Sequence, residues 1–170
     1  SRVDPRVYAG LGDIYFNDKR YNDSLAQFQR AIDLNPANSE YRIKQAGSYS
    51  SKGQLKEAIE SYMQALEIDP KKGSTFYNLG LLYLEQEKLD KAREAFDMSA
   101  GLDRNSFEPH EALSQLFLRE KNYAKSIVEI NEAIKLKNKE PRLHLTLGKL
   151  LLESGKEDDA VEAFKKATNL

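Results

Sequence analysis

The chain contains no cysteine, which excludes disulfides and thiolate metal sites and fits a reducing, cytoplasmic compartment. It also lacks an excess of either charge. Lys and Arg number 26 against 27 Asp and Glu, a formal net charge of −1, and no block of like charge is long enough to form a tail. Electrostatic binding to nucleic acid or to an anionic membrane needs a basic surface, so neither is expected as a partner. No apolar run approaches the roughly 20 residues that span a bilayer. The longest, Leu79 to Leu84, is interrupted by Gly80, so membrane insertion is not expected. Histidine is scarce, with two in 170 residues.

What is present is a period. Gly12, Ala46, Gly80, Ser114 and Gly148 lie 34 positions apart. The same spacing joins Ser24, Ala58, Ala92, Ser126 and Ala160, and again Ala31, Ala65, Ser99, Ala133 and Ala167. Nothing is inserted or deleted between copies. A period of this size in a helical sequence signals a solenoid of stacked helix pairs. Each repeat of such an array touches only its neighbours, so the usual limit on domain size is relaxed. Arrays of this kind mostly bind rather than catalyse, and the period narrows function before any single residue does.

Each copy carries two amphipathic stretches joined by a short polar turn. In the first copy Tyr8, Leu11, Gly12 and Tyr15 recur at i, i+3, i+4 and i+7, one face of a helix. Ser24, Leu25, Phe28, Ala31 and Ile32 form a second such face. Gly53 and Gly155 in the turns suit a left-handed helix end. Asn35-Pro36 and Asp69-Pro70 stop second helices, because proline cannot continue them. Pro5 and Pro141 open first helices, where a missing N–H costs nothing, and Asp4 is placed to cap the first of them. Helices cross closely only where side chains are short. Gly12 is therefore expected to face Ser24, and Gly80 to face Ala92, with aromatics at 15, 49, 83 and 117 filling the wider space around them.

The pattern Tyr8, Leu11-Gly12, Tyr15, Ser24, Phe28, Ala31 and Pro36 resembles the tetratricopeptide repeat (TPR). Ala46, Tyr49, Ala58, Tyr62, Ala65 and Pro70 repeat it, as do Phe76, Leu79, Gly80, Tyr83, Ala92 and Phe96. The fourth copy, with Leu113, Ser114, Phe117, Ser126 and Ala133, is more divergent, and the fifth has Leu151 where an aromatic is usual. The resemblance implies an all-α fold, a right-handed α-solenoid of five antiparallel helix pairs. Its repeats would be 5–38, 39–72, 73–106, 107–140 and 141–170, together one repeat domain. The family's closing proline is replaced by Arg104 and Asn138, and its C-terminal solvating helix is absent, which would leave Val161 and Phe164 on an uncapped end. The chain starts at Ser1 rather than Met, and the expectation is a fragment of a longer protein, which leaves its location open.

Most residues that suggest chemistry fall on fixed repeat positions. His110 and His144 are themselves 34 apart and occupy the slot of Tyr8 and Phe76, so an aromatic filling role is expected rather than a metal pair. Gly10-Leu11-Gly12 lacks the third glycine and the preceding strand of a nucleotide loop. Glu157-Asp158-Asp159 suits a helix start. Serines 24, 114 and 126 read as small-residue substitutes, and no nucleophile–base pair is evident. No catalytic residue, metal or cofactor is expected.

In the family the first helices line a concave groove. The resemblance places Ile43, Lys44, Tyr77, Asn78, Leu81, Leu118 and Arg142 on that inner face. An apolar strip rimmed by charge marks a protein-contact site, so the expected role is a scaffold holding a partner peptide or helix there. The lysine and asparagine set with which some members clamp acidic chaperone tails is not matched: its places hold Ala9, Asp13, Lys44, Ser74 and Asn78. Alternatives are self-assembly, with Val161 and Phe164 stacking on a second copy near Val7 and Leu11, and a docking part of an enzyme outside the fragment. RNA binding is disfavoured, since no repeat carries a net charge above +1.

Overall fold

The computed structural model describes residues 3–170, and among them ten α-helices form and no strand. In chain order they are α1 (Pro5–Asn17), α2 (Tyr21–Leu34), α3 (Ser39–Ser51), α4 (Leu55–Ile68), α5 (Gly73–Glu85), α6 (Leu89–Leu102), α7 (Glu108–Arg119), α8 (Tyr123–Leu136), α9 (Pro141–Glu153) and α10 (Glu157–Thr168). The second helices start at 21, 55, 89, 123 and 157, each one period after the last. No helix among the described residues is long and apolar enough to cross a membrane. The chain divides into two compact units, one ending at Leu82 and one running from Tyr83 to Leu170.

The turn inside each pair has one geometry throughout. Lys19, Gly53, Glu87, Lys121 and Gly155 all have positive φ, between 57° and 79°. The sequence marks this left-handed position only where it is glycine. The structure shows that three non-glycine residues adopt it too, at a cost of about 1–2 kcal/mol each. The next residue then donates its N–H five positions back, from Arg20 to Tyr15, Gln54 to Tyr49, Lys88 to Tyr83, Asn122 to Phe117 and Lys156 to Leu151, at 2.8–2.9 Å. This is the long hydrogen bond of a Schellman end, and its recurrence turns the chain back in three residues. At the other ends, the Asp4 carboxylate caps α1 by accepting from the Arg6 N–H, with Pro5 in the first turn, and Asn38 caps α3 in the same way.

The three rows of small residues are buried, apart from Ala167, which is half-exposed. Ser24, Ala58, Ala92 and Ser126 are wholly inaccessible, as are Ala31, Ala46, Ser114 and Ala133. A Cβ placed on Gly12 would lie 2.5 Å from the ring of Phe28, which is itself fully buried. The Ser24 hydroxyl shares a 3.0 Å hydrogen bond with Ser48 on α3. Small residues face each other between α7 and α8. There the Ser114 hydroxyl donates to the Ser126 carbonyl at 2.9 Å, and the Ser126 hydroxyl donates to the Ser114 carbonyl at 2.7 Å.

In the first unit α1 packs on α2, α2 on α3 and α3 on α4, around Ala9, Ala31, Ile32 and Tyr41. In the second, α8 packs on both α7 and α9, and Phe107, Ile130, Ala133, Leu143 and Leu150 form the core. Phe164 on α10 seats its ring over Gly148 and is half-buried, so it is not simply displayed at an open end, whereas Val161 is 49% exposed.

Adding one methyl group separates the glycines. Gly12→Ala forces a Cβ into a ring that cannot yield and should lower stability by about 1–2 kcal/mol, after the gain in helix propensity. Gly10→Ala, where an added Cβ meets nothing within 4 Å, should raise stability by about 0.5–1 kcal/mol. Urea unfolding of the two variants checks both signs.

Candidate functional site

On the first helices of the first unit, Ile43 and Lys44 lie on α3, and Tyr77, Asn78 and Leu81 on α5. Ile43, Tyr77 and Asn78 are half-buried, and Leu81 is 40% exposed. Lys44 is not available to a partner as an isolated cation, because its Nζ lies 2.5 Å from Asp13 Oδ2 on α1. Beneath that ion pair is a cavity of 150 Å³ lined by Asp13, Phe16, Phe28, Lys44 and Gly47. Gly47 leaves it open, since an added Cβ there would meet nothing within 4 Å.

Leu118 and Arg142 lie in the second unit. Leu118 packs against the core of Phe107, Ile130, Leu143 and Leu150, so its side chain belongs to helix packing more than to a surface. Arg142 donates from Nη1 to Glu111 Oε1 at 2.7 Å, and its guanidinium lies 5.6 Å from the centre of the Phe107 ring. Glu111 is 7% exposed. Burial pushes its carboxyl above the ordinary carboxylate range, and the Arg142 guanidinium works in the opposite direction. Arg142 therefore neutralises a buried acid of the neighbouring helix. Leu145, one turn further along α9, is 43% exposed and shares a repeat position with Ile43 and Tyr77.

These pairs follow a rule that the residue types alone did not reveal. Asp13 with Lys44 and Glu111 with Arg142 are each 31 positions apart, and Glu40 with Lys72 is 32 apart. The 31-residue pairs join first helices of consecutive repeats, and the 32-residue pair joins the start of α3 to the residue just before α5. A search for that separation would have found Asp13 and Glu111 as the partners of Lys44 and Arg142.

The histidines are bonded within the chain. His110 Nδ1 lies 2.8 Å from Glu129 Oε2, and this hydrogen bond raises its pKa above the ordinary 6.5. The charges of Glu129, Glu132 and Asp97 act in the same direction. His144 is buried and its Nε2 lies 2.9 Å from the Asn138 carbonyl. A carbonyl only accepts, so Nε2 donates this bond, and Nδ1 has no hydrogen-bond partner among the described residues. Among the described residues no group of three His, Cys, Asp or Glu is arranged to hold a metal ion. Two further cavities also obey the period. Arg42, Gln45, Tyr49 and Glu60 line one, and His144, Leu147, Leu151 and Glu162, each 102 positions on, line the other. Their shared register makes them products of repeat geometry rather than dedicated sites.

Comparison with known proteins agrees with this geometry. Sequence models of tetratricopeptide repeats match residues 5–38, 48–87, 77–141 and 141–170. The TPR repeat-containing thioredoxin TTL4 of Arabidopsis thaliana is 32% identical over 82 residues, 48% of this chain. BBSome complex member BBS4 of Bos taurus is 29% identical over 133 residues, 78% of this chain. The chain spans 12% and 25% of the length of these two relatives. Among solved structures, MamA superposes with a TM-score of 0.85 at 21% identity, covering 94% of this chain and 93% of that one. YrrB, described as a TPR protein with an unusual peptide-binding site, gives 0.75 at 17% identity, covering 95% and 84%. At such identities the likeness shows the fold, an all-α solenoid of helix pairs.

Two measurements test the electrostatics. Arg142→Ala leaves the Glu111 carboxylate buried without its cation and should cost about 1–3 kcal/mol at neutral pH. The folded-state pKa of Glu111 lies above its unfolded value, so protonation favours the fold. The deficit should therefore shrink as pH falls toward about 5, and Glu111→Gln should largely remove it. For His110, whose folded pKa is also raised, the pair's contribution is complete below about pH 6.5 and is lost as pH rises through the raised value. An NMR titration should find His110 above 6.5 in the native chain and lower in Glu129→Gln.

Proposed function

Because the chain belongs to the tetratricopeptide repeat family, we propose that it is a scaffold that binds a peptide or helix of a partner protein in the groove lined by its first helices. The observation that carries this reading is the contrast on the first helices between ion-paired charges and exposed leucines. Lys44 and Arg142 are each tied to an acidic residue of a neighbouring first helix. Leu81 and Leu145 remain 40% and 43% exposed. Tyr77 and Ile43 stand half-buried in the same row of the period as Leu145. Aromatic and aliphatic anchors carry most of the energy of protein interfaces, and paired charges set register more than affinity. Asn78, with both donor and acceptor atoms, is suited to a partner's backbone. The anchors of the first unit are Ile43, Tyr77 and Leu81, and Leu145 holds the equivalent repeat position in the second. Lys44 and Arg142 act as supports, and Leu118 acts from the core.

Binding rather than catalysis fits the polar groups of the interior. The hydroxyls of Ser24, Ser114 and Ser126 are engaged with one another, with Ser48 or with main-chain carbonyls. A hydroxyl held in this way, with no base beside it, is not activated.

Partner capture from a native lysate should fall at least about tenfold, or ~1.4 kcal/mol, for Tyr77→Asp and for Leu81→Asp, with circular dichroism confirming the fold. Met63→Asp, at a 50% exposed position on the second helix α4, should capture as the unaltered chain does. Undiminished capture by both face variants would remove this face from the account.

A further inference from the structure

The cavity beneath the Asp13–Lys44 ion pair lies wholly within the first unit, among α1, α2 and α3. Phe28, fully buried, and Phe16, half-buried, give it aromatic walls. Phe16 is braced from behind by Tyr21, with ring centres 5.6 Å apart and planes tilted by 59°. The ion pair spans the mouth from α1 to α3.

This cavity rests on one departure from the period. The row of Asp13, Gly47, Leu81, Gln115 and Lys149 carries a side chain in every repeat but the second. Nothing in the backbone requires glycine there. Gly47 sits in the middle of α3, is not among the glycines of positive φ, and an added Cβ would meet nothing within 4 Å. Glycine also weakens a helix interior. What Gly47 does in this fold is leave the cavity open.

The size and the charges of the site select its occupant. An apolar cavity of about 150 Å³ takes one benzene-sized group, and this one measures 150 Å³. Asp13 and Lys44 neutralise each other at the mouth, so a charged side chain entering would find no free counter-charge and would lose its water. Rings pack well on rings, offset or edge to face. Resting on the reading of the first helices as a peptide groove, we propose that this cavity receives a phenylalanine side chain of the partner, its ring against Phe16 and Phe28 and its main chain crossing the Asp13–Lys44 pair.

The probe is N-acetylphenylalaninamide, titrated into the isotopically labelled chain and followed by NMR at the amides of Asp13, Phe16 and Gly47. Saturable shifts are expected at those amides, with a dissociation constant of about 1–10 mM. N-acetylglycinamide and N-acetyllysinamide should produce none. Gly47→Ala narrows the cavity and should weaken binding about fivefold or more. Gly47→Leu fills it and should abolish the shifts, while both variants melt no lower than the unaltered chain. Absence of saturable shifts up to about 50 mM, their persistence in Gly47→Leu, or tighter binding of N-acetylleucinamide would overturn the proposal. Tyr77 does not line the cavity, so Tyr77→Asp should bind the probe as the unaltered chain does, which separates the two readings. If the probe fails while Tyr77→Asp still lowers capture, the cavity falls and the groove stands. If the probe binds while Tyr77→Asp and Leu81→Asp leave capture undiminished, the groove falls and the cavity stands.

Discussion

The constraint on which the rest depends is the close approach of the two helices in each pair. Gly12 offers a bare Cα to the Phe28 ring and Gly148 offers one to Phe164. Ser114 and Ser126 reach the same closeness by exchanging hydroxyl-to-carbonyl hydrogen bonds. At that separation no larger side chain fits, so three rows of the period are confined to Gly, Ala and Ser. The left-handed residue at 19, 53, 87, 121 and 155 completes the device by reversing the chain within three residues. A pair built this way cannot bury both of its apolar faces alone, so each needs the next.

Stacking in turn decides what the charges do. Consecutive first helices stand side by side, and opposite charges 31 positions apart meet across them. Arg142 matters most, because its partner Glu111 is nearly inaccessible and an unpaired buried carboxylate is expensive. Lys44 with Asp13 is half-exposed and adds at most about 1 kcal/mol. In both cases the cation belongs to the architecture. Leu81 and Leu145 on the first helices stay exposed.

The five helix pairs and the Asp4 cap of α1 were legible in the sequence. They depend on local spacing, and the period repeats each signal five times. The left-handed turns were legible at Gly53 and Gly155 but hidden at Lys19, Glu87 and Lys121, because hydrogen bonds rather than residue type impose that conformation there. Side-chain packing on the first helices was less legible. Leu118 stood out as an anchor but packs into a core, and Leu145 was in the row without standing out. Phe164 looked like an end residue until its ring was seen to cover Gly148.

By itself the sequence determined the all-α class, the 34-residue period and the fixed repeat positions on which most residues that hint at chemistry fall, because those features follow from short-range spacing and side-chain size. Only the tertiary structure decided which charges are spent inside the fold, which apolar residues stay exposed and that the Phe28 ring closes over Gly12. Those outcomes depend on contacts between helices whose relative rotation is set by packing, and a difference of one helical position changes which side chain meets which.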